Sequence, residues 1–191
     1  MVRQGVRRGW ITLQKAFDKA KLVRSKGVPV TDPVADVVRW WAREAPELPA
    51  ETIEFTKRVA RMHALTDRVT VAVLVGFDLS RAEYDVLGTL VTAGDERLRP
   101  SELSSRLLLT TGGLSNVLRS LERRGYVALT PDPADGRSRR VSLTPEGATA
   151  TRRVVGEVVA AQHELLGGVD AARIGSVTEN LRAVLRLLDT R

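Results

Sequence analysis

The chain has 191 residues, of which 43% are apolar, and a formal net charge of +7 at pH 7. That length suits one compact domain, alone or with a dimerisation appendage, and the apolar fraction suffices for a core. The absence of cysteine excludes disulfides, thiol chemistry and Cys-based zinc sites, and two histidines are too few for a His-rich metal site. No apolar run reaches the roughly 18 residues that span a bilayer, and the basic start lacks the apolar segment of a signal peptide. We therefore predict a cytoplasmic protein with no metal ion, no cofactor and no membrane partner.

Residues 1–31 are predicted to form a basic N-terminal extension. Residues 1–26 contain eight Lys or Arg and one Asp, so they carry the whole formal charge and the rest of the chain sums to zero. A sparse apolar stripe favours a short amphipathic helix, and a solvated tail with a few anchors is the alternative. The stripe consists of Trp10, Leu13, Phe17 and Ala20.

Residues 32–77 are predicted to form two N-terminal dimerisation helices. Asp32 followed by Pro33 is a good helix start, and this helix continues to about Ala45. A longer helix runs from Ala50 to about Val75. Both helices carry apolar stripes that indicate either core or subunit contact: Val34, Val37, Val38 and Trp41 in the first, and Phe55, Val59, Met62 and Val69 in the second.

Residues 78–147 are predicted to form three helices and a hairpin. A capping box, Ser80-Arg-Ala-Glu83, introduces a helix that ends near Gly94, and a second helix begins at Pro100. Thr110 caps a third helix, whose buried stripe is Leu114, Val117, Leu118 and Leu121. The opposite face carries groups that match base edges and phosphates in a major groove, at Ser115, Asn116, Arg119 and Arg123.

The hairpin follows Gly125, which ends the third helix. Residues 126–130 and 139–143 have the pattern of two strands, and an eight-residue, turn-forming loop is predicted at 131–138. Its far end carries three fixed positive charges, at Arg137, Arg139 and Arg140, which can reach a minor groove or its phosphates. Residues 99–153 hold ten Arg and five acidic residues, so basic charge is concentrated around this unit. The order of elements predicts a winged helix-turn-helix.

This segment resembles the DNA-binding domain of the MarR family of bacterial transcriptional regulators. The resemblance covers Asp32 to Leu188 and depends on four pieces: Pro100-Ser-Glu-Leu103, Leu121-Glu-Arg-Arg-Gly-Tyr-Val127, Asp132-Pro-Ala-Asp-Gly-Arg137 and Val141-Ser-Leu-Thr-Pro-Glu-Gly147. The chain departs from the family at Arg99, where a hydroxyl cap usually precedes the proline. The resemblance implies a mainly α fold with a small β-hairpin and a homodimer that binds double-stranded DNA, in the cytoplasm and associated with the nucleoid.

The resemblance also implies roles for individual residues. Bases are expected to be read by Ser115, Asn116 and Arg119, and phosphates to be held by Thr111 and Arg123. At the wing, Arg137 is expected to enter the minor groove and Asp135 to orient it, with Arg139 and Arg140 adding charge. The alternative for Asp135 and Arg137 is a solvent-exposed salt bridge at the wing tip, which would contribute little to stability.

Residues 148–191 are predicted to form C-terminal dimerisation helices. Thr144-Pro145-Glu146 starts the first of them, Gly167-Gly168 stops it, and Asp170 caps the last helix. An apolar stripe on that helix is expected to be buried against the N-terminal helices of a second copy: Ile174, Val177, Leu181, Val184, Leu185 and Leu188. The helix that Thr110 caps is interpreted as the recognition helix. Two-fold pairing places the two copies of this helix about 34–36 Å apart, which predicts a pseudo-palindromic operator. A repressor is expected, and an activator is the alternative that the sequence leaves open.

A small-molecule effector of unknown identity is a further expectation from the family. A urate-responsive subgroup with an extra N-terminal helix resembles this chain at Trp41 and Asp85, but its two anion-binding arginines align with Val117 and Leu129, which argues against urate. Arg58 is a candidate for an acidic effector. The alternatives are that Trp41 anchors the core and that Asp85 only favours the helix dipole.

Two other classes of function compete with a DNA-binding regulator. A winged helix can serve as a protein-interaction module of a larger assembly, but an apolar or mixed recognition face would then be expected instead of a polar one with arginines. A catalytic domain would need a nucleophile with its base, paired carboxylates or a metal cluster, and the sequence offers none of these. We therefore predict that the protein is not an enzyme.

Overall fold

A computed structural model describes residues 32–107, 111–133 and 135–190, without the side chains of Thr111 and Arg137. The predicted N-terminal extension and the Thr110 cap lie outside the described residues. The described elements are α1 (Pro33–Glu44), α2 (Ala50–Val75), α3 (Arg81–Thr92), α4 (Pro100–Leu107), α5 (Thr111–Arg123), β1 (Val127–Asp132), β2 (Asp135–Leu143), α6 (Pro145–Leu166) and α7 (Ala171–Asp189). This order confirms the predicted fold class.

Helix boundaries follow the capping residues that the sequence indicated. The Asp32 carboxylate accepts from the backbone N–H groups of Val34 and Ala35 at 3.1 and 3.2 Å. Ser80 and Glu83 form the predicted capping box at the start of α3. The side chains of Thr144 and Asp170 cap the N-termini of α6 and α7, each by accepting from a backbone N–H of the first turn. These side chains satisfy amide donors that the first turn of a helix leaves without intrahelical partners.

A single apolar core joins α3, α4, α5 and the hairpin. The α5 stripe supplies Leu114, Leu118 and Leu121, which are all buried, while Val117 packs at the edge of the core. Each such leucine contributes about 1.5–3 kcal/mol through removal of its side chain from water. The other buried members are Val86, Leu87, Leu90, Leu98, Leu103, Val127 and Val141. This burial fixes which face of α5 is left towards solvent, and it confirms the predicted apolar stripe.

The hairpin is longer than predicted. The eight-residue loop expected at 131–138 is wrong, because β1 extends to Asp132 and β2 begins at Asp135. The register runs from Val127 opposite Leu143 to Pro131 opposite Arg139, and then jumps so that Asp132 pairs with Asp135. Proline is tolerated here because β1 is an edge strand, on which an outward N–H is not needed. Residues 136–138 therefore form a bulge in β2.

A short third strand segment covers the other edge of β2. Leu98 exchanges two backbone hydrogen bonds with Val141, at 3.0 and 2.8 Å. Both side chains are fully buried in the core of the lobe. In this antiparallel bridge, Arg99 and Arg140 follow as neighbours on the opposite face.

The remaining helices pack only partly within one chain. Val73 and Leu74 of α2 form a small core with Val154 and Val158 of α6, and Gln162 donates a hydrogen bond to Thr70 at 3.0 Å. By contrast, α7 has no buried residue and makes at most marginal contact with the other described elements. The stripes of α1, α2 and α7 leave these large apolar side chains exposed: Val37, Trp41, Phe55, Val59, Met62, Val177, Leu185 and Leu188.

Gly147 occupies a position where no side chain fits, in the first turn of α6. A Cβ atom there would lie 1.9 Å from the Tyr126 carbonyl oxygen, which is backbone and cannot move aside cheaply.

We expect Gly147→Ala to lower the free energy of unfolding by about 1–3 kcal/mol, as for other overpacked sites. Gly156→Ala in the same helix is the matched control, because its Cβ would meet nothing within 4 Å. The control should be neutral or more stable by about 0.5–1 kcal/mol in urea unfolding. Equal effects of the two variants would contradict this assignment.

Candidate nucleic-acid interface

The outer face of α5 is polar and exposed. Ser115, Asn116, Arg119 and Arg123 are all solvent-exposed on this helix. The Arg119 guanidinium donates through Nη2 to the Asn116 side-chain oxygen at 2.7 Å, and its Nε lies 3.4 Å from the Ser115 carbonyl oxygen. These contacts hold the arginine along the helix surface. The structure thus brings together four of the residues that the sequence predicted to touch DNA.

Arg124 anchors the end of α5 to the rest of the molecule, a role that the sequence did not reveal. Its guanidinium donates to the carbonyl oxygens of Phe77, at 3.0 Å, and Asp78, and lies 5.1 Å from the Tyr126 ring centroid. These carbonyls follow the last turn of α2, where the macrodipole favours a cation. The two arginines of the Arg-Arg-Gly sequence therefore differ in role, because Arg123 is exposed and Arg124 faces inward.

Glu83 lies at the same junction and is almost fully buried. Its carboxylate accepts from the Ser80 N–H and hydroxyl at 2.7 and 2.8 Å. Burial disfavours the charged carboxylate, but hydrogen bonds from Ser80 and Ser120 and the charge of Arg124 outweigh it and lower the pKa of Glu83. The capping residue of α3 is therefore ionised at neutral pH and also contacts α5 through Ser120.

A buried carboxylate lies at the base of the wing. The Asp132 side chain is 0% exposed; one of its oxygens accepts from Arg99 Nε at 2.8 Å, and the other forms an ion pair with Arg140, 3.1 Å from its Nε. Arg140 also donates to the Arg97 carbonyl oxygen at 2.8 Å. Arg140, predicted to contact DNA, thus has a structural contact as well. The proximity of the wing base and the start of α4 was not predicted from the sequence.

The other wing residues are placed at the hairpin tip. Asp135 and Arg139 are exposed, and Arg137 lies in the backbone bulge of β2. The side chains of Arg137 and Thr111 are outside the described part, and the contacts of all the candidate residues with DNA remain predictions. Thr111 is the first residue of α5.

The three candidate effector residues have separate surroundings. Trp41 is exposed and packs edge-on against Trp40, with ring centroids 4.8 Å apart. Arg58 is bound by Asp32 and Glu54, at 2.9 and 2.6 Å. Asp85 accepts from Arg81 at 2.9 Å, and Arg81 also contacts Asp67. Because Arg58 and Asp67 are nine residues apart on α2, these two clusters are separated by about 13 Å along its axis.

An open cleft of about 670 Å³ lies elsewhere, between the end of α2, the start of α3 and the end of α5. Val75, Leu79, Glu83, Arg123 and Arg124 are among its lining residues. None of the three candidate effector residues lines this cleft.

The described residues offer neither a candidate metal site nor a membrane-spanning helix. No three His, Asp or Glu side chains in this part of the chain are grouped so that they could hold a metal ion. No helix in the described ranges is long and apolar enough to cross a membrane.

Known proteins with related sequences are transcriptional regulators. The model of the MarR family matches residues 77–138, which cover most of the helix-turn-helix and the wing. The chain is 32% identical over 134 residues to the HTH-type transcriptional regulator PecS of Dickeya dadantii, a match that covers 70% of this chain and 81% of that protein. It is 29% identical over 117 residues to the regulator PrsX of Escherichia coli, covering 61% of this chain and 70% of the relative.

Solved structures with the same fold include MarR of Escherichia coli. The wild-type apo form has a TM-score of 0.61 at 27% identity, covering 68% of this chain and 96% of that one. A MarR mutant complexed with operator DNA also has a TM-score of 0.61, at 26% identity, and covers 71% of this chain and 96% of that one. Together with the 32% identity to PecS over 134 residues, these matches show that the chain belongs to the MarR family of transcriptional regulators.

Proposed function

We propose that the protein is a sequence-specific repressor that binds a pseudo-palindromic operator in double-stranded DNA as a homodimer. The observation that carries this proposal is the exposed face of α5, which combines a hydroxyl, an amide and two guanidinium groups opposite a buried leucine stripe. An α-helix of this kind fits the major groove, where each base pair presents a distinct set of donors and acceptors. The structural neighbour MarR has been solved in a complex with operator DNA, which supports operator binding by this fold.

Arg119 and Asn116 are the residues that we propose to read bases. Arginine makes bidentate hydrogen bonds with the O6 and N7 atoms of guanine, and asparagine makes them with adenine. The 2.7 Å contact between the two side chains holds both at the outer surface of α5 before DNA arrives. Ser115 adds a hydroxyl on the same face, while Arg123 and Thr111 are assigned to the flanking phosphates.

The wing is proposed to contact the minor groove beside the recognition helix. Arg137 lies in the bulge at the hairpin tip, next to the exposed Asp135 and Arg139. Bulges commonly redirect one side chain away from the sheet, and an arginine is favoured by the negative potential of a narrow minor groove. Arg137 would therefore supply the minor-groove contact.

Homodimerisation is proposed from the apolar side chains that one chain leaves exposed. Phe55, Val59 and Met62 of α2 are 44%, 43% and 49% exposed, and Leu185 of α7 is 55% exposed. Large exposed apolar patches mark interaction sites, and the α2 side chains follow one another at helical spacing. A two-fold pairing of these helices would bury them and place two α5 helices in successive major grooves.

Selection of bound sites from a pool of random duplexes tests the proposal. We expect an inverted repeat whose half-sites are centred about one DNA turn apart. A reporter placed downstream of the recovered site should be expressed less when the protein is present. Absence of binding to any duplex would instead favour a protein-interaction module, and binding without an inverted repeat would contradict the two-fold operator.

Arg137→Ala should weaken binding to the selected site by about 1–3 kcal/mol and reduce the dependence of the affinity on salt, because one charged contact is lost. Arg152→Ala is a matched control, since Arg152 is an exposed arginine on α6, outside the helix-turn-helix and the wing. Gel shifts at several salt concentrations measure both quantities. An unchanged affinity in Arg137→Ala would remove the wing contact from the proposal.

Leu185→Glu should dissociate the proposed dimer, because it would introduce an unpaired carboxylate from each subunit into an apolar interface. We expect the dimer dissociation constant to rise by about 100-fold or more. Leu187→Glu on the same helix is the control, since Leu187 is 70% exposed and lies outside the apolar stripe. Sedimentation equilibrium measures the mass of each variant. A dimer that survives Leu185→Glu, or a wild-type monomer, would contradict this interface.

A further inference from the structure

Two arginines from different parts of the lobe meet at one buried carboxylate. Arg99 immediately precedes α4, and Arg140 lies in β2, 41 residues later. The Leu98–Val141 bridge brings their backbones side by side and points both side chains away from the core. Two guanidinium groups opposite each other would repel, but Asp132 forms an ion pair with each of them and accepts a hydrogen bond from Arg99 Nε.

The two arginines remain accessible although Asp132 is not. Their side chains are 40% and 29% exposed, whereas that of Asp132 is 0% exposed. Each guanidinium uses its Nε towards the interior, and Arg140 uses one Nη for the Arg97 carbonyl oxygen. A guanidinium has five N–H donors in a rigid fork, so it can bind a second oxyanion while it holds the first. The two guanidinium groups and the Asp132 carboxylate carry a charge of +1 between them, while the carboxylates of Glu102 and Asp135 also lie near enough to act on Arg99.

The loss of a helix cap at Arg99 fits the same arrangement. The Glu102 side chain accepts from the Arg99 N–H at 2.7 Å, which is one half of a capping box. The other half would need a hydroxyl or carboxylate at position 99. Here the position carries an arginine that contacts Asp132 instead. The first helix of the motif is thereby tied to the wing, at the expense of one hydrogen bond at its own start.

We propose that Arg99 and Arg140, oriented by the buried Asp132, form a binding site for a phosphate of the DNA backbone between the wing and the start of α4. Arg99 and Arg140 would contact the phosphate directly, and Asp132 would act as a positioning residue. The proposal rests on the proposed function, because it assumes that this face of the lobe binds duplex DNA. It adds a phosphate site at Arg99 and a role for Asp132.

The first test measures affinity against salt concentration for the full chain and a duplex carrying the selected operator. Arg99→Gln should flatten the log–log slope by about 0.9 for each half-site, the value for one lost phosphate contact. It should weaken binding to the operator and to a random duplex by the same factor, because a phosphate carries no sequence information. Arg152→Gln removes an equal charge from α6 and should leave the slope unchanged. Equal slopes for the two variants would overturn the proposal.

The direction of the affinity change in a second variant distinguishes the orientation of the two arginines from their charge alone. Asp132→Asn makes the surface more positive, so affinity would rise if the two arginines acted by charge alone. We expect it to fall by about tenfold, a loss typical of one directed contact, because the guanidinium groups lose the carboxylate that orients them. Urea unfolding of the variant shows whether the lobe is still folded. Tighter binding by a folded Asp132→Asn protein would overturn the positioning role.

A scan of the DNA locates the contact without requiring the Asp132 variant to fold. Single phosphates of the operator are replaced by neutral methylphosphonates, and each duplex is bound by wild type and by Arg99→Gln. One phosphate in each half-site should matter for the wild type and not for the variant. Identical losses at every position would overturn the proposal. Failure of the wild type to bind any duplex would instead remove the proposed function itself, so the two failures are distinguishable.

Discussion

Burial of the α5 leucine stripe is the interaction on which the rest of the lobe depends. Leu114, Leu118 and Leu121 are almost completely removed from water, and they contact residues from α3, α4 and both strands. Burial of such a stripe fixes the rotation of α5 about its own axis. The polar face of the helix is therefore turned towards solvent without the help of further contacts. The same core holds Leu98 and Val141, so the position of the wing follows from it as well. Recognition face and wing are therefore two consequences of one packing arrangement.

Arg124 and Glu83 connect this lobe to the long helix α2. Arg124 binds the carbonyl oxygens that follow α2, and Glu83 caps α3 while Ser120 of α5 donates to it. A movement of the end of α2 relative to α3 would therefore act on the recognition helix directly. Since α2 also carries much of the exposed apolar surface, the junction lies between the proposed subunit contact and the proposed DNA-binding face.

Charge in the wing is divided between stability and recognition. Arg140 has its inner donors on Asp132 and the Arg97 carbonyl oxygen, whereas Arg139 is exposed one residue away. A basic cluster in a sequence therefore combines arginines that have partners inside the fold with arginines that are exposed, and the sequence alone does not tell Arg140 from Arg139 in this respect. The effector candidates illustrate the same point, because Arg58 and Asp85 each have charged partners within their own chain.

The sequence by itself determined the helices, their caps and the face of α5, because these depend on spacings of three or four residues and on side chains that bond to nearby amides. The predicted bounds of α2 and the capping box of α3 were confirmed for this reason. Only the tertiary structure decided the roles of Arg124, which reaches back 46 residues to Asp78, and of Arg99, which reaches forward 33 residues to Asp132. It also decided that the α2 stripe is largely exposed within one chain and that the wing strands extend through a proline. Those outcomes depend on which distant segments the core brings together, and local spacing carries no information about that.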